Sequence, residues 1–538
     1  MEQRRIIIFL LLSLVIISSY PYFLEKFNPT PPSNAPIPSL LKEGGTSSEG
    51  VQKPSSSSIT LPLSATTGGT PSAGPETLKV IEGDLYRVVL SSRGGVIKKW
   101  ELKKYTKKND KGVRENIQLL SSNGSIAPLS VTLLEDESFK DQPYSLDETA
   151  IRLSASKPKE TIIMKAITAD GRSLTKELTF YNDQYQADIK IKADRFQKGY
   201  QVALGSNFGI TDWANSFGGA IGAMTMIDGK IISENPKSTT VTHESSATWF
   251  GLADKYYMSA LIPTGAGVAV SVQGISETEV SASMKISGET MREDKFILYA
   301  GPKEYDRLAS YHKYLEESID FGWFLFGSWL PVRLVAKPLF YVLRFIYDMT
   351  QNYGIAIILL TIFVKVLFHP ITKKSLTSMK DMASLQPKVT VIREKWADNK
   401  EKMNKELMNL YKESGVNPFG GCLPMLLQMP VFVALFNVLY VTIDLKGAPF
   451  MFWVTDLSDK DPYYVLPIIM GATMIIQQMT QPQTMDPTQA KIMMFMPVIY
   501  TFFFLSFPSG LVLYWLVNNL LSIAQQYWVN KQTTAVAT

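Results

Sequence analysis

The chain has 538 residues, too many for one core, so several domains or a membrane body are expected. Hydrophobic residues make up 46% of it and mean hydropathy is +0.03, yet 54 Lys and Arg against 49 Asp and Glu is too slight an excess to argue for nucleic acid. A single cysteine, Cys422, excludes an intrachain disulfide, and with three scattered histidines (His243, His312, His369) it excludes a Cys/His zinc site. No GxxxxGK(S/T), HExxH or GxSxG motif occurs, so no cofactor, nucleotide or metal is expected.

The first element is MEQRRIIIFLLLSLVIISSYPYF. Arg4 and Arg5 precede an apolar run from Ile6 to Ile17, extended by Tyr20–Leu24. A cleaved signal peptide has a similar look, but no A-x-A-like site follows. Residues 1–27 are read as an uncleaved transmembrane anchor with the arginines in the cytoplasm. Residues 28–78 are rich in Pro, Ser, Thr and Gly and contain no aromatic residue. Such a stretch buries too little apolar surface to order itself, and is read as a disordered linker.

From Lys79 to Ser318 short alternating runs take over. DLYRVVLSSRGGVIKKWEL reads as strand, turn at Arg93-Gly94-Gly95, strand. ETIIMKAI, SLTKELTFY, YQADIKIKA and GVAVSVQGI repeat that rhythm. The spacing predicts an exported, mostly antiparallel β-sandwich over 79–318. Its end, GPKEYDRLASYHKYLEES, turns helical. Sandwiches of this size often bind sugars, but no residue here selects a ligand, which favours a scaffold.

Residues 324–350 contain Arg333, Lys337, Arg344 and Asp348 at steps of 4, 7 and 4, one helical face. Leu339, Phe340, Leu343, Phe345, Ile346 and Tyr347 occupy the others. The pattern predicts a basic amphipathic helix in the membrane interface. An ordinary surface helix of the soluble domain is the alternative.

Five apolar segments follow, each near the ~20 residues a bilayer needs: 353–371, 421–443, 463–481, 492–507 and 510–529. The last two meet at a tight turn in SFPSG, and prolines 424, 430, 467 and 497 imply bent helices. Ten basic residues lie between Ile371 and Pro418: Lys373, Lys374, Lys380, Lys388, Arg393, Lys395, Lys400, Lys402, Lys405 and Lys412. The loop 445–463 has only Lys446 and Lys460, against Asp456, Asp459 and Asp461. Lysine and arginine bias therefore puts 372–418 inside and 445–463 outside. Both termini, including the tail 530–538, are then cytoplasmic and 79–318 is outside. The fold class is a multi-domain membrane protein: a polytopic α-helical core of five spans, an N-terminal anchor helix, and a large exported antiparallel β-sandwich domain.

The inner loop has its own stripes, Leu385, Val389, Ile392, Trp396 and Met403, Leu407, Leu410, Tyr411, separated by a turn at ADNK. They predict a cationic antiparallel helical hairpin with a kink at Pro387. Lys388, Arg393, Lys395, Lys402 and Lys405 are its candidate contacts to an anionic partner such as a ribosome or lipid headgroups. A solvated loop without a partner has the same composition.

The one charge inside an apolar segment is Lys365, in IILLTIFVKVLFHP. A charge there costs at least ~2.5–3.5 kcal/mol. Its stem reaches toward headgroups from about 9 Å below the cytoplasmic end, so snorkelling is one account. Polar residues on the other segments point to a second. Thr361 shares the face of Lys365; Gln428 lies in the next segment; Thr473, Gln477 and Thr480 step by 4 and 3; so do Asn518, Ser522 and Gln525. No acidic residue accompanies them. Polar faces avoid lipid and are expected to converge on a wet, positively charged cavity open to the cytoplasm. For the neutral residues alone, hydrogen bonding inside a packed bundle is the alternative. The many surrounding methionines, Met425, Met429, Met470, Met474, Met479, Met485, Met493, Met494 and Met496, suit a surface that takes varied apolar partners, or plain packing.

Long stretches, among them NPFGGCLPMLLQMPVFVALF, DPYYVLPIIMGATM, KIMMFMPVIYTFFFLSFPSGLVLYW, SMKDMASLQPK, SSRGGVIKKWELKKY and WFGLADKYYMSALIP, resemble the YidC-type membrane protein insertases of Gram-negative bacteria. The resemblance implies no covalent chemistry. It implies insertion and folding of newly made inner-membrane proteins, alone or with the Sec translocon, through a positively charged hydrophilic groove. Lys365 stands where Gram-negative members usually carry arginine. A lysine keeps the charge but loses the planar fork of donors. Gln428, Thr361, Tyr514 and Trp515 match groove-lining or client-contacting positions. The hairpin matches a region tied to the ribosome and signal-recognition targeting machinery, and the β domain one tied to Sec partners. The rival class is a transporter of a small anion held by Lys365, though no internal repeat of the transporter kind is visible. An enzyme fails for lack of a paired base and nucleophile.

Overall fold

The computed structural model describes residues 75–537 apart from 109–112, 122–123, 135, 214–220, 235–238, 266, 322–329, 417–422 and 482–486. The expected anchor, 1–27, and residues 28–74 of the linker lie outside the described residues, as do Cys422 and Met485.

The β domain packs two sheets. The smaller has the strand order Arg114–Gln118, Val96–Lys108, Tyr86–Ser91, Leu78–Glu82, Ile151–Arg152, with only the last pairing parallel. The larger is antiparallel throughout, and its spine is the pair Gln186–Ser206 and Glu279–Pro302, matched from Ser206 opposite Ser281 to Gln186 opposite Tyr299 across two register shifts. The expected turn at Arg93–Gly95 is present. Gly94 and Gly95 have φ of 70° and 57°, and a Cβ on Gly94 would stand 2.7 Å from the Lys140 carbonyl oxygen, so glycine is required.

Alternation decides which face is buried. In SLTKELTFY, Leu174, Lys176, Leu178 and Phe180 are buried and the residues between them half-exposed. Phe180 meets Trp100 of the smaller sheet at 6.3 Å, and Trp100 meets Tyr86 at 5.0 Å and Phe208 at 5.9 Å, forming the aromatic centre between the sheets. Lys176 occupies one of the inward positions. Its Nζ donates to the carbonyls of Gly94 (2.9 Å), Gly95 (2.9 Å) and Leu129 (2.7 Å), and lies 4.6 Å from the Tyr144 ring centroid. Burial pulls its pKa down to about 7, whereas three carbonyl acceptors match the three donors of the ammonium form. Lys176 thus ties the larger sheet to the turn of the smaller one.

The domain ends in a short helix, Tyr305–Ala309, and a 3-10 turn, Leu315–Ser318. Helix α1 (Leu330–Thr350) follows. Its basic face is not turned to headgroups alone: Lys337 pairs with Glu317 at 2.6 Å, Arg344 with Asp306 through Nη1 at 2.7 Å, and Arg333 lies 3.9 Å from Asp320. Val332, Ala336, Leu339, Phe340 and Leu343 are buried, whereas Leu334, Phe345 and Met349 are exposed. The helix therefore links the β domain to the helical region through both of its faces.

Helix α2 (Tyr353–Ser384) is long and apolar enough to cross a membrane; α5 (Leu423–Val441), α6 (Val465–Thr480) and α7 (Pro487–Phe504) contain shorter apolar stretches, and α8 (Ser509–Ala537) completes the set. Three features differ from the sequence expectation. First, α2 does not stop near 371 but continues through Pro370 to Ser384. Second, α8 does not end at 529 but runs through most of the expected tail 530–538 to Ala537. Third, Pro387 does not kink an arm of the hairpin: it stands in the first turn of α3 (Gln386–Lys395), where a missing N–H costs nothing. The hairpin's second arm is α4 (Lys400–Glu413), whose amide at Lys402 is capped by the Asn399 side chain at 3.0 Å.

At the end of the bundle beside the β domain, the loop 445–463 folds back on the helix ends. Asp461, 1% exposed, accepts from the Leu466 amide (2.7 Å), the Tyr463 amide (3.0 Å) and the Trp453 indole (2.9 Å). The Ser509 amide and hydroxyl both donate to the Asp459 carbonyl, at 2.7 and 2.8 Å, closing the tight turn between α7 and α8. The Asn437 amide of α5 donates to the Phe321 carbonyl at 2.6 Å.

Candidate functional site

Helix α8 packs between α2 and α6, and its polar residues form two rows. Asn518, Ser522 and Gln525 make one; Asn519 and Gln526 make the other, each one residue further on and so turned by about 100°.

The first row faces α2. Lys365 Nζ donates to Ser522 Oγ at 2.8 Å, and Ser522 Oγ donates to the Asn518 carbonyl at 2.7 Å. One turn along α2, the His369 ring Nδ1 lies 3.0 Å from Gln525 Nε2. Lys365 is half-exposed and forms no ion pair among the described residues. Its neighbours Phe363, Val366 and Leu367 are exposed apolar side chains. From the start of α2 at Tyr353, Lys365 is twelve residues along, or about 18 Å. A cation at that depth, held by a hydroxyl, keeps an unneutralised field.

The second row faces α6. Asn519 Nδ2 donates to Thr473 Oγ1 at 3.2 Å, and Thr473 Oγ1 donates to the Met470 carbonyl at 2.7 Å. Gln526 Nε2 donates to the Thr480 carbonyl at 2.8 Å. The structure thus brings Lys365, Ser522 and Asn518 together and places Thr473 at a different helix interface. Thr361, 1% exposed, donates to the Ile357 carbonyl of its own helix at 2.6 Å. Gln477 is half-exposed, and its carbonyl accepts from the Thr480 hydroxyl at 2.9 Å.

A third group gathers where α5, α7 and α8 meet. The Gln428 side chain faces the Tyr514 hydroxyl. Phe432 stacks on Tyr514 at 6.2 Å and meets the Trp515 edge at 4.7 Å; Phe504 also reaches Trp515 at 4.7 Å. Tyr514 is buried and Trp515 half-buried.

On the hairpin, Lys388, Lys395, Lys402 and Lys405 are exposed and Arg393 is half-buried. Lys402 Nζ lies 3.9 Å from the Trp396 ring centroid. Sequence reasoning passed over Asn519, Gln526 and His369. Asn519 is masked by its neighbour Asn518, since adjacent helical residues fall on different faces and periodicity picks one of them.

Residues 79–342 match the family model described as the YidC periplasmic domain, and residues 345–536 the one described as 60Kd inner membrane protein. Membrane protein insertase YidC of Geotalea daltonii is 36% identical over 99% of this chain and 100% of its own length, and that of Oleidesulfovibrio alaskensis 37% identical over 99% and 100%. The chain belongs to the YidC family of membrane protein insertases. The Geobacter sulfurreducens YidC is 38% identical over 83% of this chain and 85% of its own. A crystal structure of an active YidC insertase with the first transmembrane domain resolved aligns over 85% of this chain and 95% of that one, at 19% identity and a TM-score of 0.38. As a YidC insertase, the chain combines a periplasmic domain rich in antiparallel sheet with a helical inner-membrane region.

Proposed function

We propose that this insertase carries the polar exported tails of its clients through the inner half of the bilayer along the Lys365–Ser522 row. The single observation behind this is the 2.8 Å bond from Lys365 to a serine hydroxyl, with no carboxylate paired to it among the described residues. A solvated cation in that position attracts an acidic or polar tail and gives it a halfway site. A point charge suffices, which fits lysine in place of arginine. The exposed Phe363, Val366 and Leu367 form the apolar lip past which the client's helix moves into lipid. Burying ~20 apolar residues drives the step, and the membrane potential adds ~2.3 kcal/mol per charge per 100 mV for an acidic tail.

The same reading takes five spans in the core plus the N-terminal anchor, with both termini cytoplasmic. Its support is the lysine and arginine bias, together with the packing of loop 445–463 beside the β domain: Lys446 Nζ lies 4.9 Å from the Tyr256 ring centroid. Partners are nascent membrane proteins and the bilayer; the Sec translocon through the β domain; and the ribosome and signal-recognition machinery through Lys388, Arg393, Lys395, Lys402 and Lys405. Exposure of the four hairpin lysines supports the last of these.

The test is complementation in cells depleted of the protein. Lys365→Arg restores insertion of small clients with acidic exported tails, and Lys365→Leu leaves them in the cytoplasm. Full activity of the leucine variant with every client contradicts the proposal.

A further inference from the structure

About 12 Å further toward the hairpin than Lys365, counted along α2 at 1.5 Å per residue, the bundle carries a second cationic feature. A cavity of about 600 Å³ is lined by Pro370, Lys373, Lys374, Thr377, Ser378 and Asp381 on one side and by Gly415 and Val416 on the other. The first six step by 3, 1, 3, 1 and 3, one continuous face of α2. The opposite wall is fixed by the way α4 ends. The Val416 amide donates to the Tyr411 carbonyl at 3.0 Å and the Gly415 amide to the Lys412 carbonyl at 3.2 Å, with Gly415 at φ 66°. That is a Schellman motif, and it sets the chain's return from the hairpin across from the two lysines. A Cβ on Gly415 would meet nothing within 4 Å, so the wall borders open space.

The depth is informative. Lys373 is twenty residues past Tyr353, or about 30 Å, the thickness of the hydrocarbon core. Trp528 and Tyr527 of α8 are exposed at this level, and Lys373 Nζ lies 5.7 Å from the Trp528 ring centroid. Exposed tryptophan and tyrosine beside lysine mark the headgroup zone. Thr377 donates to the Lys373 carbonyl at 3.1 Å, and the charged donors of the lining are the two ammonium groups, with Asp381 its one acid.

We propose that this cavity binds the phosphate of an anionic phospholipid from the adjoining leaflet. Two ammonium groups on successive residues hold the phosphate, Trp528 packs beside the glycerol region, and the Gly415–Val416 wall closes the far side. Basic pockets at this level between membrane helices suit such headgroups. A lipid there sits at the cytoplasmic mouth of the Lys365 row. The inference stands on the cavity and its depth and not on the insertion reading, because binding is read without any client.

The experiment uses the full chain in detergent and native mass spectrometry of bound lipid. Phosphatidylglycerol is expected to be retained in preference to phosphatidylcholine, and the variant Lys373→Gln/Lys374→Gln to lose that preference roughly tenfold. The charge-matched control Lys159→Gln/Lys165→Gln, two exposed lysines of the β domain, keeps it. Equal retention of the two lipids, or a preference unchanged in Lys373→Gln/Lys374→Gln, overturns the proposal. Loss of the preference on adding inorganic phosphate at the same concentration as the lipid also overturns it, since the pocket then takes a free anion.

Discussion

The Lys255 ammonium of the β domain lies 3.3 Å from the ring centroid of Tyr440, near the end of helix α5. It is also 4.4 Å from the Tyr256 ring, with Lys446 on that same ring at 4.9 Å. Two cations and two aromatic rings thus join the periplasmic domain to the helical region. Burial, and then the charge of Lys446, pull the Lys255 pKa down to about 7. An unfolded lysine titrates near 10.4. Between these values the unfolded chain binds the extra proton, so stability rises with pH across that window. Melting of the full chain in detergent is expected to shift upward from pH 7 to pH 9. The shift is smaller in Lys255→Met; an identical shift in the variant contradicts this account.

Lys176 makes a sharper stability prediction. Lys176→Met removes the ammonium that donates to three buried carbonyls, at Gly94, Gly95 and Leu129. Each unsatisfied acceptor costs about 1–3 kcal/mol. The urea midpoint of the β domain transition in the full chain is expected to fall by the equivalent of ~3 kcal/mol or more. An unchanged midpoint shows that the tie between the sheets is not required.

Helix packing at Gly471 is equally open to test. A Cβ there would stand 2.0 Å from Thr501 Oγ1, so Gly471→Ala forces α6 and α7 apart. Overpacking of this kind costs about 1–3 kcal/mol. Thr501→Ala, introduced second, removes the conflicting oxygen and recovers much of the loss in a double-mutant cycle of melting temperatures. Additive losses contradict the contact.

The two polar rows of α8 predict different phenotypes. Asn519→Leu removes a cross-helix bond but leaves Thr473 bonded to Met470, so a loss of about 0.6–2 kcal/mol in stability is expected, with the client preference unchanged. Ser522→Ala leaves the Lys365 charge in place, and acidic-tailed clients still insert. Insertion assays with acidic and neutral tails check both variants.

Much of this architecture is legible in the residues. Alternation in SLTKELTFY and the Gly94–Gly95 turn mark strands because burial and positive φ leave direct traces. The apolar runs 421–443 and 463–481 match α5 and α6 to within two residues, whereas α2 continues thirteen residues past 371 and α8 eight past 529. What escaped has physical reasons. The role of Lys176 needs three carbonyls from distant segments, which no local pattern reports. The apolar run 353–371 ends beside Pro370, yet α2 passes that proline and continues to Ser384. The polar residues of α8 read as one face, whereas Asn518 and Asn519 point to different neighbours and divide it into two. The basic face of α1 reads as a membrane surface, but Glu317 and Asp306 of the β domain meet it.

The most direct measurement is the reactivity of a cysteine at position 365. In a Cys422→Ser background, Lys365→Cys is treated with a membrane-impermeant thiol reagent in inverted inner-membrane vesicles. The account predicts modification from the cytoplasmic face, slowed while a client with a neutral polar tail, whose insertion does not require the charge, is held in passage. A cysteine that stays unreactive both at rest and during passage contradicts it.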